Sequence, residues 1–260
     1  MKHVFIALLL TLASPALAQE GGAPLEPSPT WDDLRSSVVG LSSEPPIKPE
    51  VLDLTAPVRA DDAALVPIRL TQPQGAPVLD KVTVVIDENP APVAAEFQLG
   101  DAMAPLDFEI RVRVDAYSDV RAIGSSGDGD PVMAGRFIKA SGGCSAPAGK
   151  NMAAVLESMG EMRWKTVPDG ARSVGTLMIR HPNFSGLQRD QVTLLNIPAH
   201  FIDTLDVRQG DDLLFSMSAG ISISEDPVFR FAYQPNGHPI RVHVEDIEGN
   251  VWDQTFDAAG

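Results

Sequence analysis

The sequence predicts an all-β protein built from two β-sandwiches in tandem, with short helices near the N-terminus and after a small-residue arm at its middle. Three observations carry this prediction. Short apolar runs with a period of two recur through both halves. The chain holds 22 prolines and 21 glycines, a content that favours turns over long helices. The two series of runs are separated by a segment with almost no side-chain bulk, Ser141-Gly142-Gly143-Cys144-Ser145-Ala146-Pro147-Ala148-Gly149.

Met1-Lys2-His3, the apolar stretch Val4 to Leu12 and Ala16-Leu17-Ala18 before Gln19 read as a secretory signal peptide over residues 1–18. The start is positive, the apolar run is too short for a permanent membrane span, and small residues precede the cleavage point. Read as bacterial, this signal places the product in the periplasm. Residues 19–30 are Gly/Pro-rich and expected to be disordered. Thr30 with Asp33 makes a capping box for a short helix over Trp31, Leu34 and Val38, which closes before Pro45-Pro46.

Strands are expected at Val51 to Leu54, Ala64 to Leu70, Val82 to Ile86 and Val132 to Ala140, with Asn89-Pro90-Ala91-Pro92 an irregular connection. The clearest is Asp107 to Tyr117. There Phe108, Ile110, Val112, Val114 and Ala116 share one face, and Asp107, Glu109, Arg111, Arg113 and Asp115 the other. Beyond the arm, Met152 to Met159 suits a short helix stopped by Gly160. A second strand series follows at Thr176 to Arg180, Asp212 to Met217, Ala219 to Ser224, Val228 to Tyr233 and Ile240 to Glu245. The organisation is therefore a first sandwich over 31–140, the arm over 141–150, a helical linker over 151–162 and a second sandwich over 163–260.

The formal net charge is −15, and losing Lys2 with the leader makes it one unit more negative, which excludes a nucleic-acid partner by repulsion from phosphates. There is no glycine-rich phosphate loop and no nucleophile elbow. His181, His200, His238 and His243, with Cys144 and several methionines, are the ligand types of exported copper carriers. Their spacing does not assemble them: His238 and His243 would fall on opposite faces of a strand, and His181 and His238 precede prolines at turns, where backbone is the usual partner. No metal site and no cofactor is expected.

Cys144 is the only cysteine, and an exported protein with one thiol cannot form an internal disulfide. Gly142, Gly143, Ser145 and Gly149 around it predict an exposed, flexible arm. Such an arm is a poor mount for a preorganised catalytic group and a good one for a covalently attached passenger, so no catalytic residue is expected. On spacing alone, a functional thiol and an incidental one both remain open.

The residues also resemble a known family. Val66-Pro67-Ile68, Val84-Val85-Ile86 followed by Asn89-Pro90-Ala91-Pro92-Val93 and Phe97, Ile110-Arg111-Val112-Arg113-Val114 and Gly142-Gly143-Cys144 are similar to SoxY, the sulfur-carrying subunit of bacterial thiosulfate oxidation. Met178-Ile179-Arg180-His181-Pro182-Asn183 with Ser185-Gly186, Ile197-Pro198-Ala199-His200-Phe201-Ile202 and Ser222-Ile223-Ser224-Glu225-Asp226-Pro227 are similar to its partner SoxZ. Together they resemble the fused SoxYZ-like carriers associated with quinoprotein dehydrogenases. The resemblance implies an immunoglobulin-like sandwich for each half and covalent attachment of an oxidised sulfur species at Cys144. It implies a carrier rather than an enzyme, served by periplasmic sulfur-oxidation enzymes or by a quinoprotein dehydrogenase and its cytochrome. The alternative is an accessory module of such a dehydrogenase in which Cys144 is dispensable. Because a whole domain follows Cys144, the arm would enter a partner as a loop.

Overall fold

The computed structural model describes residues 24–127, 129–147 and 152–258, so the leader over 1–18, residues 19–23 and Gly149 lie outside the described residues. Seven strands form the first half: β1 (Asp53–Thr55), β2 (Val66–Thr71), β3 (Lys81–Ile86), β4 (Val93–Leu99), β5 (Asp107–Val112), β6 (Ser118–Ser125) and β7 (Val132–Ile138). Seven form the second: β8 (Met162–Asp169), β9 (Arg172–Ile179), β10 (Ile202–Gln209), β11 (Asp212–Ala219), β12 (Val228–Tyr233), β13 (Ile240–Asp246) and β14 (Val251–Phe256). Helix α1 (Pro29–Ser37) precedes the first half and α2 (Met152–Glu157) precedes the second. No helix among the described residues is long and apolar enough to cross a membrane.

The chain is all-β, two immunoglobulin-like sandwiches in tandem. One sheet runs β1-β2-β5-β12-β9-β8 and the other β14-β13-β10-β11-β4-β3-β6-β7. Each half thus repeats one plan, its first, second and fifth strands in one layer and its fourth, third, sixth and seventh in the other. The halves meet through like strands, β5 on β12 and β4 on β11, both antiparallel, as a two-fold relation between the repeats requires. Both sheets therefore continue across the joint, and the core does too. Phe97 and Phe108 of the first half pack on Phe215 and Phe231 of the second, with ring centroids of Phe108 and Phe215 at 5.1 Å and of Phe215 and Phe231 also at 5.1 Å. One continuous buried cluster runs from Leu52 to Val244. The joint removes four sheet edges and buries apolar surface on both sides, so each half depends on the other for part of its core.

Several elements depart from the sequence expectation for identifiable reasons. α1 is capped by Ser28, whose side chain accepts from Trp31 N, with Pro29 at the first helical position; Thr30 lies within the helix. Residues 24–30, expected as part of a disordered tail, include Leu25 packed beside Trp31 and Glu26 donating its backbone N–H to Asp119. β6 shows no alternation because it is buried on both faces: α1 covers its outer side, where Trp31 stacks on Arg121 at 4.5 Å and Asp87 and Asp119 pair with the guanidinium. β8 begins at Met162, within the expected linker, and β4, β10 and β14 are further strands. Residues 220–224, expected to continue as a strand from Ala219 to Ser224, do not form one, and β5 stops at Val112 rather than continuing to Tyr117. That early stop shapes the cysteine site.

Candidate functional site: a thiol clamped between the two halves

After Val112 the backbone leaves β5 and lines a seat. Val114 N donates to Ala63 O at 2.8 Å, and Asp115 N donates to the side chain of Asn89 at 2.8 Å. Asn89, itself buried, donates to Arg113 O at 2.8 Å and to Ser222 Oγ of the second half at 2.9 Å. The segment leaving β7 lies in this seat. Gly142 N donates to Asp115 O at 2.7 Å, Gly143 N to Val114 O at 3.1 Å and Cys144 N to the Asp115 carboxylate at 3.1 Å.

The second half closes over it. Ser185 Oγ donates to the carbonyl of Cys144, Gln188 Nε2 donates to Ala146 O at 3.0 Å, and Gln188 Oε1 accepts from Ser185 N at 3.1 Å. Behind these sits Asn183, in the left-handed region at φ 41°. It ties Ser224 O and Ile202 N together through its side chain and accepts from Arg113 Nη2 at 3.4 Å through its carbonyl.

The described part of the expected flexible arm is therefore docked. Cys144 is 0% exposed, a free thiol inside the protein. Ser145 is exposed and, among the described residues, reaches its own turn, with Oγ 3.4 Å from Gly142 O. Gly142 and Gly143 serve the seat rather than pliancy. A Cβ on Gly143 would lie 2.1 Å from Ala63 O and 2.7 Å from Val114 O, and Gly142 has φ 77°. Small neighbours signalled mobility in the sequence; in the fold they allow close backbone packing. Burial, reinforced by the Asp115 charge and opposed by Arg113, pushes the Cys144 thiol up to about 12. The docked thiol is protonated at neutral pH, and since the thiolate is the nucleophile, it is unreactive there.

Arg113 is the residue that sequence periodicity misplaced. Expected on the polar face of a continuous strand, it is 1% exposed and donates to Gly143 O at 3.2 Å. The second half's contribution was also hidden, since Asn183, Ser185 and Gln188 lie some 40 residues beyond Cys144 in the chain. The signal the sequence offered there was the resemblance of Met178 to Asn183 with Ser185-Gly186 to SoxZ.

The histidines come together further than their spacing suggested. His181, His200 and Asp246 have donor atoms within 4.8 Å of one another. Their hydrogen bonds are already committed. His181 Nδ1 accepts from Asn183 N at 3.1 Å, which places the ring proton on Nε2, facing Asp246 Oδ2 at 3.3 Å; His200 Nε2 meets the same oxygen at 2.6 Å. A metal at His181 Nε2 would need that nitrogen's lone pair, which the Asn183 bond denies it. Burial would raise the Asp246 carboxyl, but bonds from Asn250, His200 and His181 hold it at about 2. The cluster is a buried brace behind Asn183. His243 is separate and half-buried, held between Asp253 and Glu245, and His238 sits in a turn, its backbone N–H on Asn236.

Two fused immunoglobulin-like sandwiches with a single thiol seated at their joint define the class of protein. The family models identify it further. Sulfur oxidation protein SoxY matches residues 37–144, ending on Cys144, and Sulphur oxidation protein SoxZ matches residues 162–257. The chain belongs to the SoxYZ-like family of sulfur-oxidation carrier proteins, with the SoxY and SoxZ parts fused in tandem. A comparison with curated proteins returned no match.

Proposed function

We propose that this protein is a periplasmic covalent carrier of sulfur-containing intermediates, attached at Cys144 and handed between partner enzymes. The observation that supports it best is the seating of the thiol by hydrogen bonds from both halves. Among the described residues Cys144 is held by a few hydrogen bonds from both halves and by no disulfide, so its segment can leave as a unit while both sheets stay intact. The docked thiol stores cargo away from water, and the released loop presents it. Joining Sγ to the sulfane sulfur of thiosulfate forms one S–S bond, frees the thiol proton and yields two electrons, so the loading partner is an electron-accepting enzyme. Partners are enzymes of sulfur oxidation or a quinoprotein dehydrogenase and its cytochrome, met by a loop rather than a free tail.

Incubating the purified protein with tetrathionate tests the reading without a partner: thiolate attack leaves a thiosulfate-derived group on Sγ and releases thiosulfate, with no other oxidant. One adduct per chain, on Cys144 and removable by reductant, is expected. A thiol that stays inert under conditions that modify it in the unfolded chain overturns the carrier reading. The second reading, an accessory module of a periplasmic dehydrogenase, is distinguished by Cys144→Ser, which abolishes a carrier's function in the cell and leaves an accessory module's intact.

A further inference from the structure

Arg113 is buried with no carboxylate bonded to it among the described residues. It is 1% exposed and forms no salt bridge with any described residue. A guanidinium has five N–H donors; here Nη1 reaches Gly143 O at 3.2 Å, Nη2 reaches Asn183 O at 3.4 Å, and Nε has no partner. Glu225, Cys144 and Asp62 act on it only through space. Burying an arginine this way is unfavourable unless something compensates its charge. The same chain shows the ordinary solution at Arg121, equally buried but bonded to Asp87 and Asp119 at 2.8 to 3.1 Å and covered by Trp31. Arg113 instead faces the segment that carries the only thiol, bonded to the residue just before it.

We infer that Arg113 is the receptor for the negative charge of the cargo: when Cys144 carries a sulfur oxoanion, the docked loop brings that anion to the guanidinium and supplies a directly bonded counter-ion. This deepens the carrier reading and rests on it. The seat then distinguishes cargo by charge. An anionic adduct is held and shielded, whereas a neutral or cationic one lacks the pairing and leaves the seat more readily. Arginine suits the task because its planar fork can bond two oxygens of a sulfonate at once.

Methanethiosulfonate reagents test this directly. The Cys144 thiolate displaces methanesulfinate, forming one S–S bond, so the attached group can be sulfonatoethyl (anionic), hydroxyethyl (neutral) or trimethylammonioethyl (cationic). Amide hydrogen exchange over 142–146 is then compared. The sulfonate adduct is expected to exchange roughly tenfold or more slowly than the hydroxyethyl one, the scale of a hydrogen bond to a charged group. The difference should vanish in Arg113→Met and persist in part in Arg113→Lys. Equal exchange of the two adducts, or an undiminished difference in Arg113→Met, overturns the inference. Should Arg113→Met not fold, Cys144→Asp against Cys144→Asn decides it: the aspartate variant should have the higher melting temperature, and the reverse order overturns the inference. Because the reagent, not a partner, loads the thiol, these comparisons can be read even if no sulfur adduct forms in the cell. An adduct that forms natively without charge preference removes only the role of Arg113.

Discussion

Removing the latch from the second half, with Ser185→Ala and Gln188→Ala together, should release the cysteine loop without disturbing either sheet. The two side chains donate to the carbonyls of Cys144 and Ala146. Each such bond contributes about 1 kcal/mol net, so losing both shifts the docked–released equilibrium by roughly 2 kcal/mol, about thirtyfold. The assay is alkylation of Cys144 by iodoacetamide at neutral pH. The docked thiol, pushed up to about 12, does not react, so the observed rate is the released fraction multiplied by the rate of a free cysteine. The double variant should therefore alkylate about thirtyfold faster than the parent and each single variant about fivefold faster, with the double variant's melting temperature lowered by about 4–8 °C and a single cooperative transition kept. A parent that already reacts as fast as a free cysteine would refute the docked state. A rate that follows global unfolding and ignores the latch would refute the local release.

Gly143→Ala should have the same effect from the opposite side, because its Cβ would lie 2.1 Å from Ala63 O. The thiol should fall from about 12 toward the ordinary value of about 8.5, read from the pH dependence of alkylation, and a variant still titrating near 12 contradicts the seat. The shared core predicts one calorimetric transition for the whole chain, and Phe108→Ala should lower it by about 3–5 kcal/mol without splitting it; two separable transitions contradict the fused core. Asp246, held at about 2 by its hydrogen bonds, contributes stability that is present above its unfolded value of about 3.9 and lost as the pH falls toward 2. Acid unfolding should therefore lose roughly 2–3 kcal/mol across that window in the parent and less in Asp246→Asn. Chelators should leave the melting temperature unchanged; a drop restored by zinc contradicts the hydrogen-bonded brace at His181 and His200.

Where one face of a strand meets water, period two announced it, as in β5, β12 and β13. Where both faces are covered it did not. β6 carries Asp119 and Arg121 among apolar residues because α1 and Trp31 lie over it, so no alternation survives. Arg113 continues the alternation of β5 in the sequence, yet the strand has already ended and the cysteine loop lies on top of it. Cys144 was singled out from its isolation and its glycines, but the exposed, pliant setting expected for it is a buried, docked one. Small residues permit both mobility and close packing, and only the distant Ala63, Ser185 and Gln188 decide for packing. The two-fold relation between halves was invisible because it lies in strand order, while the residues on equivalent strands differ.

The carrier account is tested most directly by peptide mass spectrometry of the protein isolated without reductant from cells oxidising reduced sulfur. It predicts a reductant-labile adduct of sulfur or sulfonate mass on Cys144 in a substantial fraction of the chains. A Cys144 that is always the bare thiol in such cells would contradict it.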